Sequence, residues 1–301
     1  MINFYKYHGA GNDFIIVDNR NGHFDAENKE FIKELCHRRF GVGADGIILL
    51  EDSSDYDFSM VYINSDGSIG SMCGNGGRCI VHFAHHILNI IKDPKQIKFI
   101  AVDGLHEAEI KGDEVRLKMQ DVDNISERNG YAFLCSGTTA HNVVFVENLA
   151  NFPVVEEGKN LQRIEKDSKG VNVNFVEEVD GVYYVRTYER GVWDETWACG
   201  TGAVSVAIAC HSLRKLKANI CNIKMPGGNL TVLFKKMPDG TYQNIWPVGQ
   251  ARCVLKGEWK SLFYSIPCPY HVVYECIGIP HFVIIPAHNF YEIASYDTSH
   301  R

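Results

Sequence analysis

The sequence predicts an α+β fold built from two similar domains, and two observations carry that prediction. The first is internal repetition. Phe14-Ile-Ile-Val-Asp-Asn19 resembles Val143-Val-Phe-Val-Glu-Asn148, and Gly41-Val-Gly-Ala-Asp45 resembles Gly170-Val-Asn-Val-Asn174, both at an offset of 129 residues (14 to 143, 41 to 170). Cys73-Gly-Asn-Gly76 then resembles Cys199-Gly-Thr-Gly202 at an offset of 126 (73 to 199), and residues 80–85 run parallel to 206–211. Repeated anchors in one order mark a duplicated unit. The second observation is that each half holds one long apolar segment without Pro or Gly, residues 78–91 and 203–216, each behind a glycine-rich turn that carries a cysteine. Segments of that length read as buried helices.

The remaining elements follow in order. Residues 14–18, 46–50, 143–146 and 182–187 are short β-branched or aromatic runs and read as strands. Residues 27–39 read as an amphipathic surface helix, and Met237-Pro-Asp-Gly240 as a hairpin turn. Strands outnumber helices, with one buried helix per half. The expected organisation is a first domain over 1–120, a second over 121–256, a cleft between them, and an added segment over 257–301.

Composition excludes several classes of function. The 301 residues carry 30 basic and 37 acidic side chains, a formal net charge of −7. A mildly acidic chain without a basic block lacks the Lys and Arg that draw nucleic acid. No stretch approaches the roughly 18 apolar residues of a membrane span, and the first thirteen residues hold no apolar core of a secretory signal. A soluble, cytoplasmic protein is expected. Ten cysteines occur with no Cys-x-x-Cys pair, so neither a zinc ribbon nor a dithiol redox motif is indicated and no metal is expected. Without a secretory context a disulfide framework is not expected either.

Most of these thiols, Cys79 among them, read as small buried side chains, the usual place of free cysteine. Cys73 and Cys199 read differently. Each precedes glycines and a helix, where unpaired amides and the helix dipole favour an anion. A thiol there is expected to have a lowered pKa, and the same amides suit a substrate carboxylate. Duplication places two such thiols on opposite sides of one site. Two opposed acid/base groups across one carbon are what stereoinversion needs: one thiolate takes the α-proton and the other thiol reprotonates the opposite face. The amides then stabilise charge that grows on the carboxylate. The scheme needs no pyridoxal lysine, and no dinucleotide fingerprint is present, so no cofactor is expected and a small molecule is the expected partner.

These residues resemble the diaminopimelate epimerase family. The resemblance is carried by His8-Gly-Ala-Gly-Asn-Asp-Phe14, Gly41-Val-Gly-Ala-Asp-Gly46, Asn64-Ser-Asp-Gly-Ser68, Met72-Cys-Gly-Asn-Gly-Gly-Arg-Cys79, Val171-Asn-Val-Asn-Phe175, Glu189-Arg-Gly191 and Ala198-Cys-Gly-Thr-Gly202, in the family's order over about residues 1–257. It implies that each half is a mixed sheet or barrel around a central helix, and that the reaction interconverts LL- and meso-2,6-diaminopimelate, in lysine and peptidoglycan precursor synthesis. Cys73 and Cys199 would be the two bases. Asn12, Asn64 and Asn172 would hold mainly the distal amino-acid group, with Arg190 on its carboxylate and Glu189 on its ammonium. The amides of Gly74, Asn75, Gly200 and Thr201 would hold the reacting carboxylate. His141, together with Glu189, would tune the thiols, and a homodimer is the assembly implied.

Three departures from the family pattern stand out. Thr139 replaces a binding asparagine of some members and is left outside the expected site. The stretch from Glu189 to Cys199 is one residue longer than usual, so a bulge is expected there, with Trp193 and Trp197 reshaping the distal pocket. The segment from 258 onward extends past the usual end and reads as a cover for the core or an oligomer contact. Two rival readings remain open. One is a proline or hydroxyproline racemase, which typically carries Cys-Gly-His-Gly at the first cysteine. The other is a non-catalytic thiol-based ligand or redox sensor, because facing thiols of low pKa oxidise readily.

Overall fold

The computed structural model describes residues 2–261 apart from 71, 124, 129, 138, 165–169 and 214, together with the strand backbones 270–276 and 282–286. In the first half, β1 (Ile2–Gly9) and β2 (Asn12–Asp18) form an antiparallel hairpin, and helix α1 (Lys29–Cys36) leads into β3 (Gly46–Glu51), parallel to β2. β4 (Phe58–Asn64) returns antiparallel, and helix α2 (Gly74–His82) crosses to β5 (Ile97–Ala101), parallel to β4. Antiparallel β6 (Gly104–Lys111) and β7 (Glu114–Leu117) complete the unit.

The second half repeats this order of pairings. β8 (Ile125–Arg128) and β9 (Tyr131–Ser136) precede β10 (Thr139–Phe145), helix α3 (Val154–Ile164), and β11 (Asn172–Val179), which runs parallel to β10. β12 (Val182–Glu189) returns with the short β13 (Asp194–Thr196) at its side. Helix α4 (Gly200–Ser212) then crosses to β14 (Ile220–Met225), parallel to β12, followed by β15 (Gly228–Lys236) and β16 (Tyr242–Gln250). Phe14 stands opposite Gly46 in the first half and Val143 opposite Asn174 in the second, so the repeat holds at 129 residues on one strand and 128 on the other (14 to 143, 46 to 174).

Two ladders join the halves. β16 pairs with β7, and β17 (Arg252–Ser261) pairs with β1, with Ile2 opposite Trp259. β18 (Tyr270–Cys276) lies antiparallel along β17 and β19 (Phe282–Pro286) along β18. Part of the C-terminal segment therefore extends the sheet edge. The rest of it, from 262 to 269, from 277 to 281 and beyond 286, lies outside the described residues.

Both central helices are buried on every side along most of their length. On α4 the whole run from Ala203 to Cys210 is buried, wrapped by Leu134, Val143, Val176, Val232 and Ile245. On α2 all nine residues are buried, packed among Phe14, Ile48, Val115 and Leu117. The glycine-rich stretches that read as turns are the first helical turns themselves, with Cys73 and Cys199 as N-caps. Close approach explains the glycines: a Cβ on Gly76 would sit 2.9 Å from Ile48 Cδ1, and one on Gly77 2.9 Å from Met72 Cε. The predicted single helix over 78–91 is also shorter than expected, because α2 gives way to a π-turn at Phe83–Ile87. The surface helix is present as α1, where Asn28 accepts from the Phe31 amide and Ile32, Leu35 and Cys36 face inward. Helix α3 had no counterpart in the sequence reading. It admits Gly158 because Tyr188 lies against that point, 2.4 Å from where a Cβ would be.

Candidate active site

The N-termini of α2 and α4 abut across a cleft of 1190 Å³. A Cβ on Gly200 would lie 3.8 Å from both Gly74 Cα and Asn75 Oδ1, and the Asn75 side-chain amide donates to the Ala198 carbonyl at 3.3 Å. The cleft is lined by Asn12, Asn64, Cys73, Gly74, Asn75, Asn172, Glu189, Arg190, Cys199, Gly200 and Thr201. Eleven of the twelve residues singled out from sequence thus come together. The twelfth, His141, is fully buried and outside the lining.

The helix starts explain the donor set. The first amides of a helix have no intrahelical partner. In α2 the Asn75 and Gly76 amides lie near the Cys73 sulfur and favour its thiolate without closing a capping hydrogen bond, whereas in α4 the Gly202 amide reaches Cys199 Sγ at 3.4 Å. Cys73 Sγ donates to Asn12 Oδ1 at 3.3 Å, and Cys199 Sγ meets Thr201 Oγ1 at 3.5 Å and the Asn172 side-chain amide at 3.7 Å. Both thiols are free.

The expected lowering of the thiol pKa values does not occur. Burial pushes both thiols up, and the backbone amides near each sulfur, which act downward, are outweighed. The Glu189 carboxylate adds to the rise at both. The sequence signal, a thiol at a helix N-terminus, captures the favourable dipole and misses the loss of water. Glu189 is itself raised by burial, against a 2.6 Å hydrogen bond from the Thr196 hydroxyl.

The other polar residues hold one another. The Asn12 side-chain amide donates to Asp45 at 2.6 Å, and Asn64 donates to Ser68 Oγ at 3.1 Å. Asn172 Oδ1 accepts from the Arg190 backbone amide at 2.8 Å. The Arg190 stem lies over Gly170, where a Cβ would meet Arg190 Cγ at 3.0 Å. At the rim, Arg38 bridges Asp13 and Asp45 at 2.8 and 2.6 Å, and Lys6 bonds Asp13 at 2.6 Å. Desolvation opposes ionisation of Asp13, yet these two cations hold its pKa down to about 2.

His141 sits on β10 opposite Asn172, with Nδ1 3.2 Å from the Asn174 side-chain amide. Burial, with the nearby Arg190 charge, lowers its pKa to about 3, so the ring is neutral. Asn174 Oδ1 in turn sits 2.5 Å from where a Cβ on Gly202 would be, and accepts from Thr187 Oγ1 at 3.0 Å. The histidine therefore reaches the Cys199 turn through Asn174.

Sequence reasoning left out Thr139, which lines the cleft, as do Asp45 and Tyr62. Thr139 was signalled by its position two residues before His141; the others had no signal beyond lying in or beside the recognised motifs. The expected bulge after Glu189 is instead a hairpin. β13 pairs with the end of β12, the Trp193 amide donates to the Glu189 carbonyl at 2.8 Å, and Gly191 and Trp193 turn the chain at φ 92° and 60°. Trp193 packs beside Arg190 over Gly170, and Trp197 borders the cleft. Among the described residues, the one group with metal-ligand chemistry, His82, His86 and Asp113, lies at the far end of α2 from the thiols.

This architecture is shared with solved structures of low sequence identity. A Bacillus anthracis phenazine biosynthesis protein of the PhzF family superposes with a TM-score of 0.68 at 15% identity, covering 85% of this chain and 97% of that one. A hydroxyproline epimerase from Agrobacterium vitis, solved with trans-4-hydroxy-L-proline, gives 0.61 at 16% identity, with 85% and 91% covered. Likeness at that level shows a shared fold; relatives nearer in sequence make the chain an isomerase of the epimerase type. The family model for diaminopimelate epimerase matches residues 4–124 and 133–244, and with that match the chain belongs to the diaminopimelate epimerase family. Curated relatives bearing that name include proteins from Flavobacterium psychrophilum, 46% identical over 255 residues with 84% of this chain and 98% of the relative covered. Another, from Chlorobaculum tepidum, is 42% identical over 260 residues, with 83% and 98% covered.

Proposed function

We propose that this cleft inverts one α-carbon of LL-2,6-diaminopimelate to give the meso isomer, with Cys73 and Cys199 as the two bases. The observation that carries the reading is the pair of thiols at the N-caps of two abutting helices in one cleft, in a chain of this family. The amides of Gly74, Asn75, Gly200 and Thr201 hold the reacting carboxylate and take up the charge that grows as the α-proton leaves. Asn12, Asn64, Asn172, Glu189 and Arg190 hold the distal amino-acid group. In each turnover one thiolate removes the α-proton and becomes a thiol, while the opposite thiol gives its proton to the other face and becomes the thiolate. Burial that disfavours ionisation makes whichever thiolate forms a stronger base, which suits a weak carbon acid. His141 is a positioning residue that acts through Asn174 on the Cys199 turn.

The halves 1–120 and 121–256 are read as two units that close on substrate and exclude water, with 257–301 as an added segment. The protein is read as a cytoplasmic homodimer that acts in lysine and peptidoglycan precursor synthesis; among the described residues no helix is long and apolar enough to cross a membrane. The test is proton NMR with LL-diaminopimelate in heavy water under reducing conditions. Loss of the α-proton signal together with formation of the meso isomer is the expected result. Exchange with proline-type substrates and none with diaminopimelate would reassign the substrate.

A further inference from the structure

Arg78 is the one charged side chain of the first cysteine motif, and the reaction above gives it no task. Its side chain is completely buried on α2, less than two turns after Cys73. Nη2 donates to Asn75 Oδ1 at 2.6 Å and Nη1 to the Gly74 carbonyl at 3.3 Å, while Nε has no hydrogen-bond partner. Among the described residues no carboxylate forms an ion pair with it. The ionisable groups that act on the guanidinium are two thiols, Cys79 and Cys73. β16 passes directly over it, and Gly249 leaves the space: a Cβ there would lie 3.1 Å from Arg78 Nε. A guanidinium removed from water without a partner charge costs several kcal/mol, so its place calls for a compensating anion that no carboxylate among the described residues supplies. Cys79 is fully buried in the core and outside the cleft, whereas Cys73 lines it. On α4 the position equivalent to Arg78, at the motif offset of 126, is the fully buried Val204.

We propose that Arg78 is the fixed counter-charge of the Cys73 thiolate, which makes Cys73, rather than Cys199, the thiol that ionises first. Arg78 is a positioning residue. It supplies charge behind the sulfur and holds the Asn75 amide, whose nitrogen reaches Asn12 Oδ1 and the Ala198 carbonyl. The other titratable groups that face Cys73 are Glu189 from β12, Tyr62 from β4, Cys79 on α2 and Cys199 at α4. Of the groups acting on its sulfur, Arg78 is the cation. The inference rests on the two-thiol reading and not on the identity of the substrate.

The test needs no substrate. Reduced wild-type protein is alkylated with iodoacetamide over a pH series, and the rates at Cys73 and Cys199 are read separately by peptide mass spectrometry. The pH midpoint reports ionisation, whereas exposure scales the rate at every pH alike. The midpoint of Cys73 is expected at least one unit below that of Cys199. Arg78→Met is expected to cut the Cys73 rate about tenfold at a given pH, one unit of midpoint, and to leave the Cys199 midpoint in place. Arg78→Lys, which keeps the charge, is expected to restore the Cys73 midpoint. A wild-type Cys199 midpoint at or below that of Cys73 overturns the proposal, even if Arg78→Met does not fold. So does an Arg78→Met profile that shifts both thiols equally or neither. Such a failure would leave diaminopimelate turnover, measured by NMR, unaffected as evidence for the epimerase reading.

Discussion

The N-termini of α2 and α4 begin with the same Cys-Gly-x-Gly start and differ in almost everything around it. Cys73 is partly open, its side chain accepts no capping bond from a third-position amide in the way Cys199 does, and a buried cation lies behind it. Cys199 is buried, tied to Gly202, Thr201 and Asn172, and backed by a helix that carries no charged side chain where α2 carries Arg78. Duplication therefore supplies geometry, two donors aimed at one point, while later divergence sets the surroundings of each donor. Inversion of a carbon needs opposed groups of similar reach and does not need them in identical environments.

The sharpest way to break this comparison is to remove each thiol in turn. Cys73→Ala and Cys199→Ala are each expected to lower epimerisation by more than about 10³-fold, on the scale of losing a group that acts in the transition state. Each is expected to retain α-proton exchange of one isomer only, read by NMR in heavy water. Inversion that survives in either variant would end the two-base reading. Next in size is Arg190→Ala, which should raise KM and lower kcat together, on the order of 10²-fold in kcat/KM, because remote contacts position the reacting carbon. A variant with wild-type kinetics would remove the distal pocket assignment.

A smaller effect sharpens the contrast between the turns themselves. Gly202→Ala drives a Cβ to within 2.5 Å of Asn174 Oδ1, and overpacking of that kind costs roughly 1–3 kcal/mol. Thermal unfolding is expected to show that loss. Gly74→Ala, whose Cβ meets nothing within 4 Å, should leave the melting temperature unchanged and raise KM. Last is the ring behind the second turn. The unfolded chain protonates His141 near pH 6.5 and the folded chain only near pH 3, so its contribution is whole above that window and is lost as pH falls through it. The slope is expected to be about 1.4 kcal/mol per pH unit. Denaturant titrations between pH 4 and 7 should show His141→Gln with the shallower dependence.

The fold was legible in the sequence where duplication wrote it twice. The repeats at 14 and 143, 41 and 170, and 73 and 199 mark equivalent strands and helix starts, and the pairing Phe14 to Gly46 recurs as Val143 to Asn174. The cysteines were legible because glycines that follow a cysteine and precede an apolar run have few other uses. Burial was not legible. The direction of both thiol pKa values depends on how much water the strands exclude, and no local motif encodes that. Thr139, Asp45 and Tyr62 enter the cleft through strand register and not through residue type. The hairpin after Glu189 escaped notice because its turn depends on a tryptophan held at φ 60°, a conformation that side-chain statistics disfavour.

The ladder between β1 and β17 pairs Ile2 with Trp259, near the two ends of the described chain. During synthesis β1 leaves the ribosome long before its partner on that edge, which lies on the far side of the whole second half. For that interval the first half presents an unpaired strand edge, the kind of surface that invites pairing with another chain. Closing contacts at such separation is also slow. Completion of the first half thus waits on β17, and truncation before residue 252 should yield an aggregating product even though both cysteine motifs are present.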